Sequence, residues 1–285
     1  MSALPNKRTS ALLRVLAPLA VVTLFSGCAE PAGGADDAGG DEADAGAADE
    51  AGVDEADLDG PEPESDGDID QDVAEAVAAG ASVADAVNGG CSTTSVFGLS
   101  RQIVDETNCL VPGALASVPN RPDFVKGAAT FPFMQTAGRN ALVKMLDADG
   151  RTFSVNSMLR TVAQQYLLFT WFQQGRCGIQ AAARPGKSNH ETGLALDTSD
   201  FAAFRSALES RGFRWFGDGD RVHFDFVGAG TKNLTGTSVR AFQRLWNLNN
   251  PGDKIGVDGL YGPQTESRLR KSPAAGFAKG SSCGG

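Results

Sequence analysis

Residues 212–227 read GFRWFGDGDRVHFDFV. Two short runs rich in aromatic and β-branched residues flank GDGD, a turn of glycines and aspartates, which is the pattern of two antiparallel strands. In the second run a period of two puts Val222, Phe224 and Phe226 on one face and His223 with Asp225 on the other. An apolar face turned to a core aims His223 at a cleft.

Upstream, AGRNALVKMLDADG (137–150) carries Leu142, Met145 and Leu146 on one helical face and closes at Gly150. RTFSVNS (151–157) alternates as a strand, and the apolar run from Met158 to Gly175 predicts one long helix central to the core. TGLALD (192–197) alternates again, and FAAFRSALESRG (201–212) forms a helix behind Ser199-Asp200. Strands and helices do not alternate as in a doubly wound sheet, so an α+β domain with an antiparallel sheet and flanking helices is expected over residues 91–230. Residues 231–285 form a small helical unit. Val239, Phe242, Leu245 and Trp246 make one stripe, and Pro263 opens a second helix after the turn IGVDGLYG.

The net charge of −10 hides two unlike halves. Residues 29–90 hold 20 Asp and Glu with no Lys or Arg, whereas residues 91–285 hold 22 basic against 15 acidic side chains. The acidic stretch has too few large apolar residues to bury a core, so residues 28–90 read as a disordered tether. Before it, Lys7, Arg8 and Arg14 precede an eleven-residue apolar run, VLAPLAVVTLF. That run is shorter than the roughly 20 residues of a membrane helix and fits an export signal over residues 1–27. Its end, LFSGC, resembles the lipobox of bacterial lipoproteins. The resemblance implies cleavage before Cys28, a lipid on Cys28 as a membrane anchor, and, with Ala29 next, the periplasmic face of the outer membrane. Cys91, Cys109, Cys177 and Cys283 remain, an even count that in an exported chain predicts two disulfides with three pairings open.

The chain has two histidines, His190 and His223, and both lie beside carboxylates in glycine-punctuated stretches. His190 is followed by Gly193, where the chain can bend, and by Asp197 at the end of an alternating strand. Asp220 sits in the glycine turn before His223. Two imidazoles and one carboxylate with a fourth position open are the ligand set of a catalytic zinc. Spacing alone leaves this reading level with structural histidines beside turn-forming aspartates.

RPGKSNHETGLALD (184–197) matches the S-x-H-x-x-G-x-A-x-D signature of the zinc D-alanyl-D-alanine carboxypeptidases, and SMLRTVAQQ and DRVHF resemble that family's arginine and acid-x-x-His elements in the same order. The resemblance covers roughly residues 110–228. It implies a Hedgehog/D,D-peptidase-like fold and one Zn2+ per chain held by His190, Asp197 and His223. It also implies Asp220 as general base, with Asp225 as the fallback because many relatives carry Glu at the base position. Arg160 then stabilises the oxyanion, and Ser188 contacts substrate. The implied activity is hydrolysis of peptidoglycan stem peptides with loss of terminal D-Ala. Cleavage of another stem-peptide or cross-bridge bond, or a non-catalytic envelope-binding role, are the alternatives. VRAFQRLWNL and VDGLYGPQTESRL in the C-terminal unit resemble a peptidoglycan-binding domain. The usual flanking repeat is not obvious and SPAAGF stands in place of the final helix, so a shortened copy that packs on the catalytic domain instead of binding glycan is the alternative. Peptidoglycan and the membrane are thus the expected partners, and the basic excess of residues 91–285 suits an anionic envelope. No basic helix with interleaved aromatics points to nucleic acid, and nothing points to a protein partner.

Overall fold

A computed structural model describes residues 80–283. The export signal, Cys28 and the tether up to residue 79 lie outside the described residues. Among the described residues no helix is long and apolar enough to cross a membrane.

The fold begins earlier than the sequence suggested. Helix α1 (Val83–Gly89) starts at a reciprocal cap: the Ser82 backbone N–H donates to Asp85, and the Asp85 N–H donates to the Ser82 hydroxyl. Val83, Ala86 and Val87 are buried, so the tether reading fails over these residues. Their alanine- and aspartate-rich composition differs little from the stretch before them. Val83 and Val87, one helical turn apart, supply the buried face of α1.

Helix α2 (Phe97–Leu110) leads to β1 (Leu115–Ser117), β2 (Phe124–Lys126) and β3 (Phe133–Gln135). Then follow α3 (Thr136–Asp149), β4 (Phe153–Val155), α4 (Val162–Gln173), β5 (Ala195–Asp197), α5 (Phe201–Glu209), β6 (Phe213–Trp215) and β7 (His223–Phe226). Helices α6 (Thr237–Asn249) and α7 (Pro263–Lys271) complete the described chain. The strands form three small sheets: β1 with β3 antiparallel, β5-β7-β6 antiparallel, and β2 with β4 parallel. The expected antiparallel character thus holds for two sheets. The third is parallel because α3 lies between its strands in sequence and supplies the crossover that a parallel pair requires.

The helix expected from Met158 begins at Val162 instead. Thr161 and Gln164 make a capping box, with the Thr161 N–H donating to the Gln164 carbonyl. Residues 158–160 stay outside the helix, where the Met158 carbonyl meets His190 and the Arg160 side chain meets Asp197.

Two apolar clusters flank these residues. One packs α3, β4 and α5 on the β5-β7-β6 sheet through Leu142, Met145, Phe153, Phe204, Phe224 and Phe226. Gly138 lets α3 approach, since a Cβ there would sit 3.2 Å from the Phe226 ring. The other joins α1, α2, α4, α6 and α7, burying Val87, Leu99, Leu167, Trp171, Phe242 and Leu269 together. All described residues fall in one compact unit, and the sequence boundary at residue 230 runs through this shared helical core.

The four cysteines pair as Cys91–Cys177 and Cys109–Cys283. The first ties the start of the fold to the end of α4, and the second ties α2 to the C-terminal tail. Replacing both Cys91 and Cys177 by Ala is expected to lower unfolding stability by about 2–5 kcal/mol, since the bond closes a long loop in the unfolded chain. Denaturant melts of the oxidised proteins measure this, and coincident curves would show that the bond adds nothing.

Candidate metal centre

The site is built on strand register. Asp197 on β5 and His223 on β7 are direct antiparallel partners, which places their side chains next to each other on one face. The His223 Nδ1 lies 3.0 Å from Asp197 Oδ1. Asp197 is pinned on its other side as well. Its N–H donates to the Ser157 carbonyl at 2.9 Å, and its carbonyl accepts from Asn156 N–H at 2.8 Å.

His190 arrives on a single 3-10 turn, Asn189–Thr192. Gly193 then turns back with φ 72°, the left-handed region that favours glycine, and a Cβ there would crowd the Gln135 backbone nitrogen at 3.2 Å. The turn presents His190 Nε2 3.2 Å from Asp197 Oδ2, while Nδ1 lies 2.7 Å from the Met158 carbonyl. That carbonyl can only accept, so Nδ1 donates to it and Nε2 is the nitrogen left on the Asp197 side for a metal.

His190, Asp197 and His223 are all buried, and one ligand atom from each lies within 4.8 Å of the others. The two rings meet at 73° with centroids 5.1 Å apart. Two nitrogens and a carboxylate oxygen converge with their backs held by hydrogen bonds, which fits a divalent ion that takes nitrogen and oxygen ligands.

The other expected residues gather around this set. Arg160, 5% exposed, donates through Nη2 to Asp197 Oδ2 at 3.1 Å and through Nε to the Ser157 hydroxyl at 3.0 Å. Asp220 is buried, with Oδ2 4.0 Å from His223 Nδ1, the nitrogen that faces Asp197. Asp225, the fallback base, lies instead at the opposite nitrogen, with Oδ1 3.2 Å from Nε2. Ser188 is buried, and its backbone N–H reaches the Glu191 carboxylate.

The acids set the electrostatics. Burial opposes a charged His223 ring, but hydrogen bonds to Asp197 and Asp225 outweigh it and push the imidazolium up to about 10. Burial also opposes ionised Asp197, and the field of His190, its hydrogen bonds to both histidines and the field of Arg160 overcome it, holding the carboxyl well below the usual range. Such a cluster favours positive charge at its centre, a proton or a cation.

Two supporting residues carry no signal in the sequence. Gln135 is 1% exposed. Its amide nitrogen donates to the Thr192 and Lys232 carbonyls, and its oxygen accepts from the Lys232 N–H. It clamps the His190 turn to the segment before α6, contacts far apart in sequence. Glu191 is buried, accepting from Gly186 N–H at 2.7 Å, and burial raises its carboxyl to about 8.

Residues 135–227 match the VanY family, described as D-alanyl-D-alanine carboxypeptidase. Over this stretch the chain is similar to that family. The stretch contains Arg160, Ser188, His190, Asp197, Asp220 and His223, and it begins at Gln135. Among solved structures, that of the LdcB LD-carboxypeptidase, described as revealing the basis of peptidoglycan recognition, is 21% identical. The match covers 44% of this chain and 73% of that one at a TM-score of 0.34. No curated protein matches the chain. Helices α6 and α7 lie beyond the matched stretch in sequence.

Proposed function

We propose that the chain is a zinc-dependent carboxypeptidase that removes the terminal D-alanine from peptidoglycan stem peptides, on a Hedgehog/D,D-peptidase-like fold. The observation that carries this reading is the convergence of His190 Nε2, Asp197 and His223 Nδ1 with both outer imidazole nitrogens hydrogen-bonded. The match to the VanY family supports the peptidoglycan-directed class of carboxypeptidase. Zinc, when bound by these three residues, supplies a Lewis acid that polarises the scissile carbonyl and acidifies water.

The chain's own residues do the rest. Asp220 lies on the ligand side of His223, where its carboxylate accepts a proton from the attacking water and returns it to the leaving amine of D-alanine. Arg160, fixed by Asp197 and Ser157, offers a preorganised positive charge to the oxyanion that develops on the scissile carbonyl. Ser188 contacts the substrate. A substrate in the cell wall goes with an exported chain, anchored through a lipid on Cys28 at the periplasmic face of the outer membrane.

The test is zinc content and D-alanine release from muropeptides ending in D-Ala-D-Ala. Wild type is expected to hold one zinc and release D-alanine, and Asp220→Ala to keep the zinc while kcat falls about 10²–10⁴-fold. Full activity in Asp220→Ala removes it as the base. Zinc without D-alanine release moves the cleavage to another stem-peptide or cross-bridge bond, which product analysis identifies. A folded chain that takes up no zinc points to an envelope-binding protein.

A further inference from the structure

The side of His223 turned away from Asp197 carries a pair of residues that the proposed chemistry does not use. Asp225 Oδ1 lies 3.2 Å from His223 Nε2. Its other oxygen, Oδ2, lies 3.6 Å from Nη2 of Arg214, which is its register partner on β6. Asp225 is 5% exposed, whereas the Arg214 side chain is 66% exposed. His223 and Asp225 are two residues apart on β7 and share a face.

We propose that Asp225 is a positioning residue that fixes the tautomer of His223 for metal binding, and that Arg214 decides which Asp225 oxygen does so. The inference rests on the metal reading of the site. A neutral imidazole carries one proton, and the nitrogen that binds a metal must be the other one. With a metal at Nδ1, on the Asp197 side, the ring keeps one proton, and Asp225, which accepts and cannot donate, holds that proton on Nε2. The Met158 carbonyl does the same for His190 from the opposite nitrogen. The two histidines therefore present unlike nitrogens, Nε2 and Nδ1, each selected by an acceptor behind the ring.

Arg214 makes the idea testable, because a guanidinium only donates. In Asp225→Asn the shape is kept, but the Arg214 charge, 3.6 Å from the Oδ2 position, favours the amide oxygen there and the amide NH2 toward His223. That NH2 donates to Nε2, the imidazole proton moves to Nδ1, and the ligand lone pair is lost. Removing Arg214 as well lets the amide turn round and accept from Nε2–H again.

Zn2+ affinity, read by competition with a chelating dye, is therefore expected to fall about 10–100-fold in D225N. It stays within about twofold of wild type in R214A, because either oxygen of the Asp225 carboxylate accepts from Nε2–H whichever way the group turns. The double variant R214A/D225N is expected to bind several-fold more tightly than D225N. A merely structural Asp225 gives no such rescue. Equal affinity for D225N and wild type, or a double variant no better than D225N, overturns the inference.

Imidazole 15N spectra of the zinc-loaded wild type provide a reading that needs no variant to fold. His223 is expected to carry its proton on Nε2, and a proton-free Nε2 also overturns the inference. Wild type that takes up no Zn2+ is a separate outcome, which ends the metal reading and this inference with it.

Discussion

His223→Ala is expected to leave a folded chain that keeps no zinc through dialysis and releases D-alanine at least about 10³ times more slowly than wild type. Losing the ion forfeits several kcal/mol of transition-state stabilisation, and every 1.36 kcal/mol is tenfold in rate. The chain still folds because the backbone of β7 pairs with both β5 and β6, bonds the substitution does not touch. It does lose stability. The ring fills space beside Phe216, at a centroid distance of 5.4 Å, and its removal strips buried Asp225 of a donor. A cavity and an unsatisfied buried group cost about 1–3 kcal/mol each. Circular dichroism separates this loss from unfolding. Zinc retained at the wild-type stoichiometry, with D-alanine release intact, would falsify the ligand assignment.

The residues of the site are legible in the sequence far more than their arrangement. With only two histidines in the chain, the candidates are few, and the alternation of VHFDF puts His223 and Asp225 on one face, as observed. Alternation gives a face but no register, so nothing in the sequence pairs Asp197 with His223 across 26 residues. It could not rank Asp220 against Asp225 either, because that ranking depends on which imidazole nitrogen each one meets. Backbone partners are hidden altogether. The Met158 carbonyl reaches His190 because α4 starts at Val162 rather than Met158, and the sign of that start, Thr161 with Gln164 three residues on, lies within an apolar run that hides it. The parallel β2–β4 pair is missed for a plainer reason: three-residue strands are too short to show a period.

Deleting residues 231–285 tests how far the helices after the VanY-similar stretch can be parted from it. The piece 80–230 is expected to lose cooperative thermal unfolding and zinc binding together. Val239, Phe242, Leu245 and Trp246 on α6 are buried in the same cluster as Leu99 of α2 and Leu167 of α4. Burying four such side chains stabilises by about 6–12 kcal/mol, which is the scale of a whole domain's net stability, about 5–15 kcal/mol. Polar links are cut as well. The Ser238 hydroxyl accepts from the Val162 N–H at the start of α4, two residues after Arg160, and Lys232 occupies both ends of the Gln135 amide that holds the His190 turn. Loss of Ser238 leaves a buried N–H without an acceptor, and loss of Lys232 leaves half the clamp open. On this argument the α6 stripe is a wall of the domain that carries the candidate site, the alternative in which the small unit packs on its neighbour. A sharp melting transition and unchanged zinc affinity in the 80–230 piece would show instead that the halves fold apart.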